Sequence, residues 1–468
     1  MLTYNLSEGK KSLPLYEQLY KNIKTDIISG KLESGAKLPS KRNFAKNLGI
    51  STITVESAYE MLLSEGFIFS VPKSGYFVSE NPPDAAFFTE DDEGETSKNA
   101  PESEEKADFD FESSATLPSL FPFSAWAHLT RKVLSEKKEV LRASPSFGTR
   151  ELQKAIKRHL EQFRALKVSE EQIVIGAGTE YLYSLIIQFL GANKTYAVEE
   201  PGYQKISEVY RAHNIKTAHI ALDSEGIDMR ALRQSGADVA HISPSHHFPT
   251  GITTTILRRK ELLEWAVEKE GRFIIEDDYD SELRLDGFPV PALQSIDNAD
   301  KVIYINTFSK TLSSTLRVSY MVLPSSLVSS FSEKLGFYSN TVPVINQHTL
   351  AFFMNQGFFE KHINRLRRNY TQVRDFLLEG VKANDKLKTA QISQENSGLH
   401  FLLCVKTEKS DESLTEQSRK IGIKISFLSK YFFDKEKSPA HTLVINYSSI
   451  PADKKLIFDA LERLSSIL

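Results

Sequence analysis

Cysteine occurs once, at Cys404, in a chain of 468 residues, so no internal disulfide can form and a reducing, cytoplasmic setting is expected. Cys404 lies in the alternating apolar stretch GLHFLLCVK, which predicts a packed strand thiol and not a nucleophile. Long apolar runs are missing too. None approaches the ~20 residues that cross a bilayer, and the opening MLTYNLSEGKKSLPLYEQLY lacks the apolar centre of a secretion signal, so no membrane partner is expected. Neither sign of charge dominates: 58 basic against 61 acidic residues leave a formal net charge of −3. That balance gives no global sign of nucleic-acid binding, although a local basic patch can hide within it. Internal repeats are absent. What remains is 40% hydrophobic and 25% charged, an ordinary globular composition over a length that suits two or three domains.

Composition breaks the chain once. From Asn81 to Asp108 the text NPPDAAFFTEDDEGETSKNAPESEEKAD is rich in acid, Pro, Ser and Gly. Such a segment cannot bury enough apolar surface to offset its ordering entropy, and an acidic flexible linker is expected there. The stretch before it carries helical periodicity. PLYEQLYKNIKTDIISG puts Leu15, Leu19, Ile23, Ile27 and Ile28 on one face; PSKRNFAKNLG has Ser40 as cap and Gly49 as stop; STITVESAYEMLLSEG is capped by Ser51 and ended by Gly66. FIFSVPKSGYFVSE then reads as two short strands turning at Lys73-Ser74-Gly75. Three helices and a hairpin over residues 1–80 make a winged helix-turn-helix whose third helix can enter a DNA major groove. Ser40, Lys41 and Arg42 open its second helix and Ser51, Thr52 and Thr54 its third, where side chains reach base edges and phosphates. Lys73 marks the wing tip. Double-stranded DNA is the expected partner.

Beyond the linker, short apolar strands alternate with helical stretches: QIVIG, TYAVE, DVAHIS, RFIIED and KVIYIN. The alternation predicts βαβ units and a mostly parallel sheet covered on both faces. A smaller α+β part should follow, with GLHFLLCV and HTLVINYS as strands and ADKKLIFDALERLSSIL as closing helix. Ligands of such sheets bind beyond the carboxyl ends of the strands, and those ends carry a coherent set. After QIVIG, AGTEYLYSLIIQFL is a glycine turn entering a helix, where N–H groups of Gly178, Thr179 and Glu180 can hold a phosphate. EPGYQK after TYAVE offers Tyr203. DDYDSE after RFIIE places Asp277 and Tyr279. TFSK after KVIYIN brings Thr307, Ser309 and Lys310, with Arg317 seven residues on. A Schiff-base amine, a carboxylate to keep a pyridine nitrogen protonated, a tyrosine for a phenolic oxygen, an aromatic platform and an anion cradle are the parts that hold pyridoxal 5'-phosphate (PLP). The amine must be neutral to react, so burial or a nearby cation has to lower its pKa. Singly, each residue has an ordinary reading: Lys310 a surface charge, Asp277 a helix cap, Arg317 half of an ion pair. Five fitting strand ends in sequence order point to a PLP site.

TFSKTLSSTLR is similar to the Schiff-base signature of fold-type I, aspartate-aminotransferase-like domains. GAKLPSKRNFAKNLGISTITVESAYEMLLSEGFI, with SGYFV, resembles the winged-helix signature of the GntR family. Together they resemble the MocR-like subgroup of GntR regulators across essentially all of the chain outside the linker. The resemblance implies a multidomain protein: an α+β winged helix over 1–80, the linker over 81–108, and over 109–468 an α/β aminotransferase-like domain that binds PLP and forms a homodimer. A smaller α+β subdomain would comprise about residues 341–468 and that domain's N-terminal segment. Lys310 is then the Schiff-base lysine, Asp277 the pyridine partner, Tyr279 the phenolic-oxygen partner and Tyr203 the stacking ring. Thr307, Ser309, Arg317, Thr179 and, through its backbone, Glu180 would hold the phosphate. His246 would lie beside the ring, where many relatives have HQ in place of HH.

The departures from the family bear on activity. Relatives grip a substrate carboxylate with an arginine in a late strand, commonly within LRLGF; here LVINYS puts Val444 at that place, and a buried carboxylate would lack its bidentate partner. Lys205, two residues after Tyr203, is either a cation for that carboxylate or a solvated helix lysine. The tyrosine that a partner subunit often lends to the phosphate is not evident in LRASPSFGTRE, and Thr52 stands where the family often has arginine. These losses favour a regulator whose small-molecule effector is PLP itself, like the MocR-like regulators of vitamin B6 synthesis, over an active enzyme. The alternatives are a regulator answering to PLP plus an amino acid, a working aminotransferase with a DNA-binding appendage, and a PLP-free dimerisation scaffold. No metal is expected.

Overall fold

The computed structural model describes residues 3–4, 6, 13–72, 74–79, 107–136, 138–285, 291–396 and 398–468. Lys73 and the expected linker up to residue 106 lie outside the described residues. The chain forms two compact units, Met1–Glu105 and Lys106–Leu468.

In the first unit, α1 (Leu15–Ile28), α2 (Lys41–Leu48) and α3 (Thr52–Ser64) precede a hairpin of β1 (Ile68–Val71) and β2 (Gly75–Val78). Ser40 Oγ accepts from Asn43 N at 3.3 Å and Ser51 Oγ from Thr54 N at 3.1 Å, closing the first turns of α2 and α3. Gly49 ends α2 at a positive φ of 67°. Leu19, Ile23, Phe44, Val55, Ala58, Leu62 and Phe67 form the fully buried core. Ile28, expected on the inner face of α1, is 38% exposed. Successive helical residues lie about 100° apart, so the stripe that buries Ile27 leaves its neighbour at the rim.

The second unit opens with β3 (Phe109–Asp110), α4 (Phe123–Glu136) and α5 (Arg150–Arg164). It continues through β4 (Ile173–Gly176), α6 (Thr179–Leu190), β5 (Thr195–Glu200), α7 (Gln204–Ala212), β6 (Lys216–Asp223), β7 (Gly226–Ile227), α8 (Met229–Gln234) and β8 (Val239–Ile242). Then come α9 (Ile256–Val267), β9 (Phe273–Asp277), β10 (Val302–Thr307), β11 (Ser319–Val322), α10 (Val328–Leu335), α11 (Val344–Asn355) and α12 (Phe358–Ala383). The chain closes with β12 (Gln391–Ser393), β13 (His400–Cys404), α13 (Asp411–Lys420), β14 (Ile423–Lys424), β15 (Thr442–Asn446) and α14 (Lys454–Ile467). The main sheet has the order β4-β11-β10-β9-β8-β5-β6-β7. Pairs from β10 through β9, β8 and β5 to β6 are parallel. Period-two alternation buries both faces. Ile275, Ile303 and Ile305 meet Leu182 and Ile186 of α6, while Ile274 and Val302 meet Leu262 and Trp265 of α9.

Three strands of the main sheet, β6, the two-residue β7 and β11, were not singled out in the sequence. β6 is mostly solvent-touched, which dilutes its apolar signal. β11, SYMV, follows β10 without a helical crossover and runs antiparallel to both neighbours, pairing Ser319 with Thr307 of β10 and with Gly176 of β4. That return carries Arg317 to the edge where β4 and β10 end. β12, β13 and β15 form a separate antiparallel sheet, and β14 pairs with β3. The segment that follows the expected linker is thereby bound to the C-terminal part of the unit.

Candidate cofactor site and nucleic-acid interface

Lys310 lies three residues past β10. Its Nζ donates to the Ser114 carbonyl oxygen at 3.0 Å and to Ser114 Oγ at 2.5 Å, and Thr116 Oγ1 donates to the Lys310 carbonyl at 2.9 Å. Burial lowers the pKa of this amine from 10.5 to about 8, against the pull of Asp280 and Asp277 and with a smaller push from Lys205.

Asp277 ends β9. Its Oδ2 accepts a short hydrogen bond from Tyr183 Oη on α6 and stands 3.6 Å from His241 Nε2 on β8; His241 Nδ1 is 2.6 Å from Tyr210 Oη. Burial, and then the charge of Asp277, push the Tyr183 phenol well above its usual pKa, which keeps it a donor. Among the described residues, Asp277 Oδ1 and the Tyr279 hydroxyl have no hydrogen-bond partner although both atoms are buried. An unpartnered carboxylate oxygen and an unpartnered phenol two residues apart are what a pyridinium N–H and a phenolic oxygen would satisfy. The donor set therefore fits PLP.

The anion side is built on the end of β4. Gly178 caps α6 with φ +95°, a backbone conformation that calls for glycine, and a Cβ there would lie 2.4 Å from Arg317 Nη2, so the guanidinium lies close against this residue. Thr179 and Glu180 open α6, where N–H groups lack intrahelical acceptors. Ser309 N donates to Thr307 Oγ1 at 3.1 Å. Thr307, expected on the phosphate, is buried, and its hydroxyl is engaged with Ser309 Oγ at 2.9 Å and Ser319 Oγ at 2.8 Å. It shapes the Ser309 turn. Arg317, itself at φ +50°, donates from Nη2 to Ala177 O at 3.3 Å and to Glu180 Oε2 at 2.8 Å. Lys205, exposed on the first turn of α7, pairs with Glu180 Oε1 at 2.9 Å.

Tyr203 is 45% exposed, and its ring meets Phe248 edge-on at 6.2 Å. His246 is buried, with Nδ1 3.0 Å from Asp280 Oδ1. Val444 is fully buried on β15, opposite Leu402 and in one apolar cluster with Leu428, Phe248 and Tyr431. Sequence reasoning missed Ser114, Tyr183, His241 and Asp280. The one available signal was His241, a polar residue inside the apolar run DVAHIS.

In the first unit, the hydroxyls of Ser40 and Ser51 are committed to helix caps, and Ser51 Oγ also lies 2.9 Å from Thr54 Oγ1. Lys41 forms a short ion pair with Glu56. Arg42 and Thr52 are exposed. Ile53, not anticipated, is 74% exposed on the first turn of α3, where an apolar side chain can meet a thymine methyl. Among the described residues, no helix is long and apolar enough to cross a membrane and no acidic, His or Cys cluster could hold a metal ion.

Residues 15–78 match the family model of bacterial regulatory proteins, gntR family, and residues 112–423 that of aminotransferase class I and II. The chain is 37% identical to the uncharacterized HTH-type transcriptional regulator YdeL of Bacillus subtilis (strain 168) over 94% of each chain. It is 30% identical to the HTH-type pyridoxine biosynthesis transcriptional regulator PdxR of Corynebacterium glutamicum, over 89% of this chain and 88% of that one. A crystal structure of an archaeal alanine:glyoxylate aminotransferase superposes with a TM-score of 0.68 at 21% identity, over 76% of this chain and 90% of that one, a likeness of fold. With a gntR-type winged helix ahead of an aminotransferase fold, and full-length similarity to regulators of that build, the chain belongs to the MocR-like subgroup of the GntR family of DNA-binding transcriptional regulators.

Proposed function

We propose that this regulator binds PLP at the strand-end site and that PLP itself is the effector, without turnover of an amino acid. The observation that carries the reading is a contrast within one site. Asp277 Oδ1 and the Tyr279 hydroxyl are buried without polar partners and the nearby Lys310 amine has a lowered pKa, whereas Val444 closes an apolar cluster at the place where the family resemblance leads one to expect a carboxylate-binding arginine. Similarity to a regulator of pyridoxine biosynthesis supports the same reading.

PLP, when bound, supplies an aldehyde for a lysine amine and a ring that stores negative charge when its nitrogen is protonated. In this chain Asp277, held by the hydrogen bond from Tyr183, would keep that nitrogen protonated, Tyr279 would donate to the phenolic oxygen, and Tyr203 would cover one face of the ring. With a pKa of about 8, about a quarter of Lys310 is neutral at pH 7.5, against about one part in a thousand for an ordinary lysine of pKa 10.5. Ser114 holds the amine in place while it is free. A second copy of the chain is the expected partner. A cavity of about 700 Å³ lined by Arg142 and Gly336 adjoins Leu141 and Phe337, 87% and 76% exposed, an apolar surface suited to burial between subunits.

The test is to titrate PLP-stripped protein with PLP while following absorbance near ~420 nm and affinity for an operator selected in vitro. PLP alone should change DNA affinity, and Lys310→Ala should abolish both signals. No band refutes cofactor binding; a DNA response that needs an added amino acid refutes PLP as sole effector; steady turnover of an amino donor establishes the enzyme instead.

A further inference from the structure

A single carboxylate occupies both cations on the anion side of the site. Glu180 Oε2 lies 2.8 Å from Arg317 Nη2 and Glu180 Oε1 2.9 Å from Lys205 Nζ. Arg317 packs against Gly178, the residue that opens α6. The carboxylate thus sits at the first turn of a twelve-residue helix, where free N–H groups and the helix dipole also favour negative charge. The pairing with Lys205, reinforced by Arg317, holds the Glu180 carboxyl below its usual range despite partial burial, so it is ionised at neutral pH.

This arrangement has a consequence for any phosphate that uses the same N–H groups and the same arginine. Arg317 reaches the ligand already neutralised, and a like charge stands within contact distance of its guanidinium. The phosphate has to displace Glu180 from Arg317 or bind beside it, and both weaken binding. Lys205 offers the displaced carboxylate a place to stay.

We propose that Glu180 is an internal counter-ion that competes with the ligand's phosphate for Arg317 and keeps binding of phosphorylated ligand weak enough to reverse. The inference rests on PLP being the effector and deepens that reading: a sensor has to release its ligand when the concentration falls, whereas an enzyme gains by retaining its cofactor.

The test compares full-length wild type with Glu180→Gln, which keeps the shape and removes the charge at a partly exposed position. Both are titrated with PLP and with pyridoxal, which lacks the phosphate, and followed by absorbance; release is timed after dilution. Glu180→Gln should bind PLP about tenfold more tightly or better and release it more slowly, with pyridoxal affinity unchanged and with the PLP difference shrinking at high salt. Unchanged or weaker PLP affinity in the variant, when wild type binds PLP, overturns the counter-ion and leaves the effector reading standing. Equal tightening for PLP and pyridoxal also overturns it, since the phosphate would not be what Glu180 opposes. If neither protein binds PLP, both readings fall.

Discussion

Replacing Lys310 by methionine should stabilise the ligand-free protein at neutral pH, and the gain should disappear in alkali. Burial lowers the pKa of this amine from 10.5 to about 8, so the folded chain binds that proton about 3 kcal/mol less tightly than the unfolded chain does. Below pH 8 the folded state carries the whole of this cost. Between pH 8 and 10.5 the folded amine is neutral while the unfolded one is still protonated, so unfolding takes up a proton and stability rises with pH. Methionine fills similar volume without the charge, but it strands the Ser114 carbonyl and hydroxyl that now receive Nζ at 3.0 and 2.5 Å, at a cost of about 1–2 kcal/mol. The net expectation for Lys310→Met is a gain of about 1–2 kcal/mol at pH 7. That gain should fall by about 2 kcal/mol by pH 10, reaching zero or changing sign. Urea unfolding followed by tryptophan fluorescence reads the relevant unit alone, because the two tryptophans, Trp126 and Trp265, both lie in it. A stability difference that is the same at both pH values, or that grows with pH, would refute a depressed amine and with it the account of how Lys310 is kept reactive.

Val444→Arg should destabilise the same unit by about 3 kcal/mol or more, since it puts a cation among Leu402, Leu428 and Phe248; a stable variant that turns over an amino donor would show that one side chain separates this site from an aminotransferase. Ser51→Ala should cost the winged helix about 1 kcal/mol through loss of the α3 cap and weaken binding to all duplexes alike, with Ser51→Thr restoring it. Unaltered helix content and affinity in gel-shift and circular-dichroism measurements would make that cap immaterial.

Lys310, Asp277, Tyr279 and Gly178 were legible in the sequence because each follows directly on an apolar run that can only be a buried strand, and strand ends are where such sheets bind ligands. Ser114 and Tyr183 were not, because the hydrogen bonds that give them meaning join residues 196 and 94 positions apart. The contact of Thr307 Oγ1 with Ser319, twelve residues on, was not legible either, because it depends on the antiparallel return of β11. Glu180 looked like backbone alone, because the cations that claim its side chain come from α7 and from the approach to β11.

Local pattern, caps and residue type are enough to read the winged helix, the alternating sheet and the residue types that stand at its strand ends. Which of those groups are already paired follows from the three-dimensional arrangement alone. Pairing among charges and hydroxyls depends on how strands from distant parts of the chain are registered, and the antiparallel return of β11 sets Arg317 against α6 and Glu180 between two cations, which no spacing along the chain encodes.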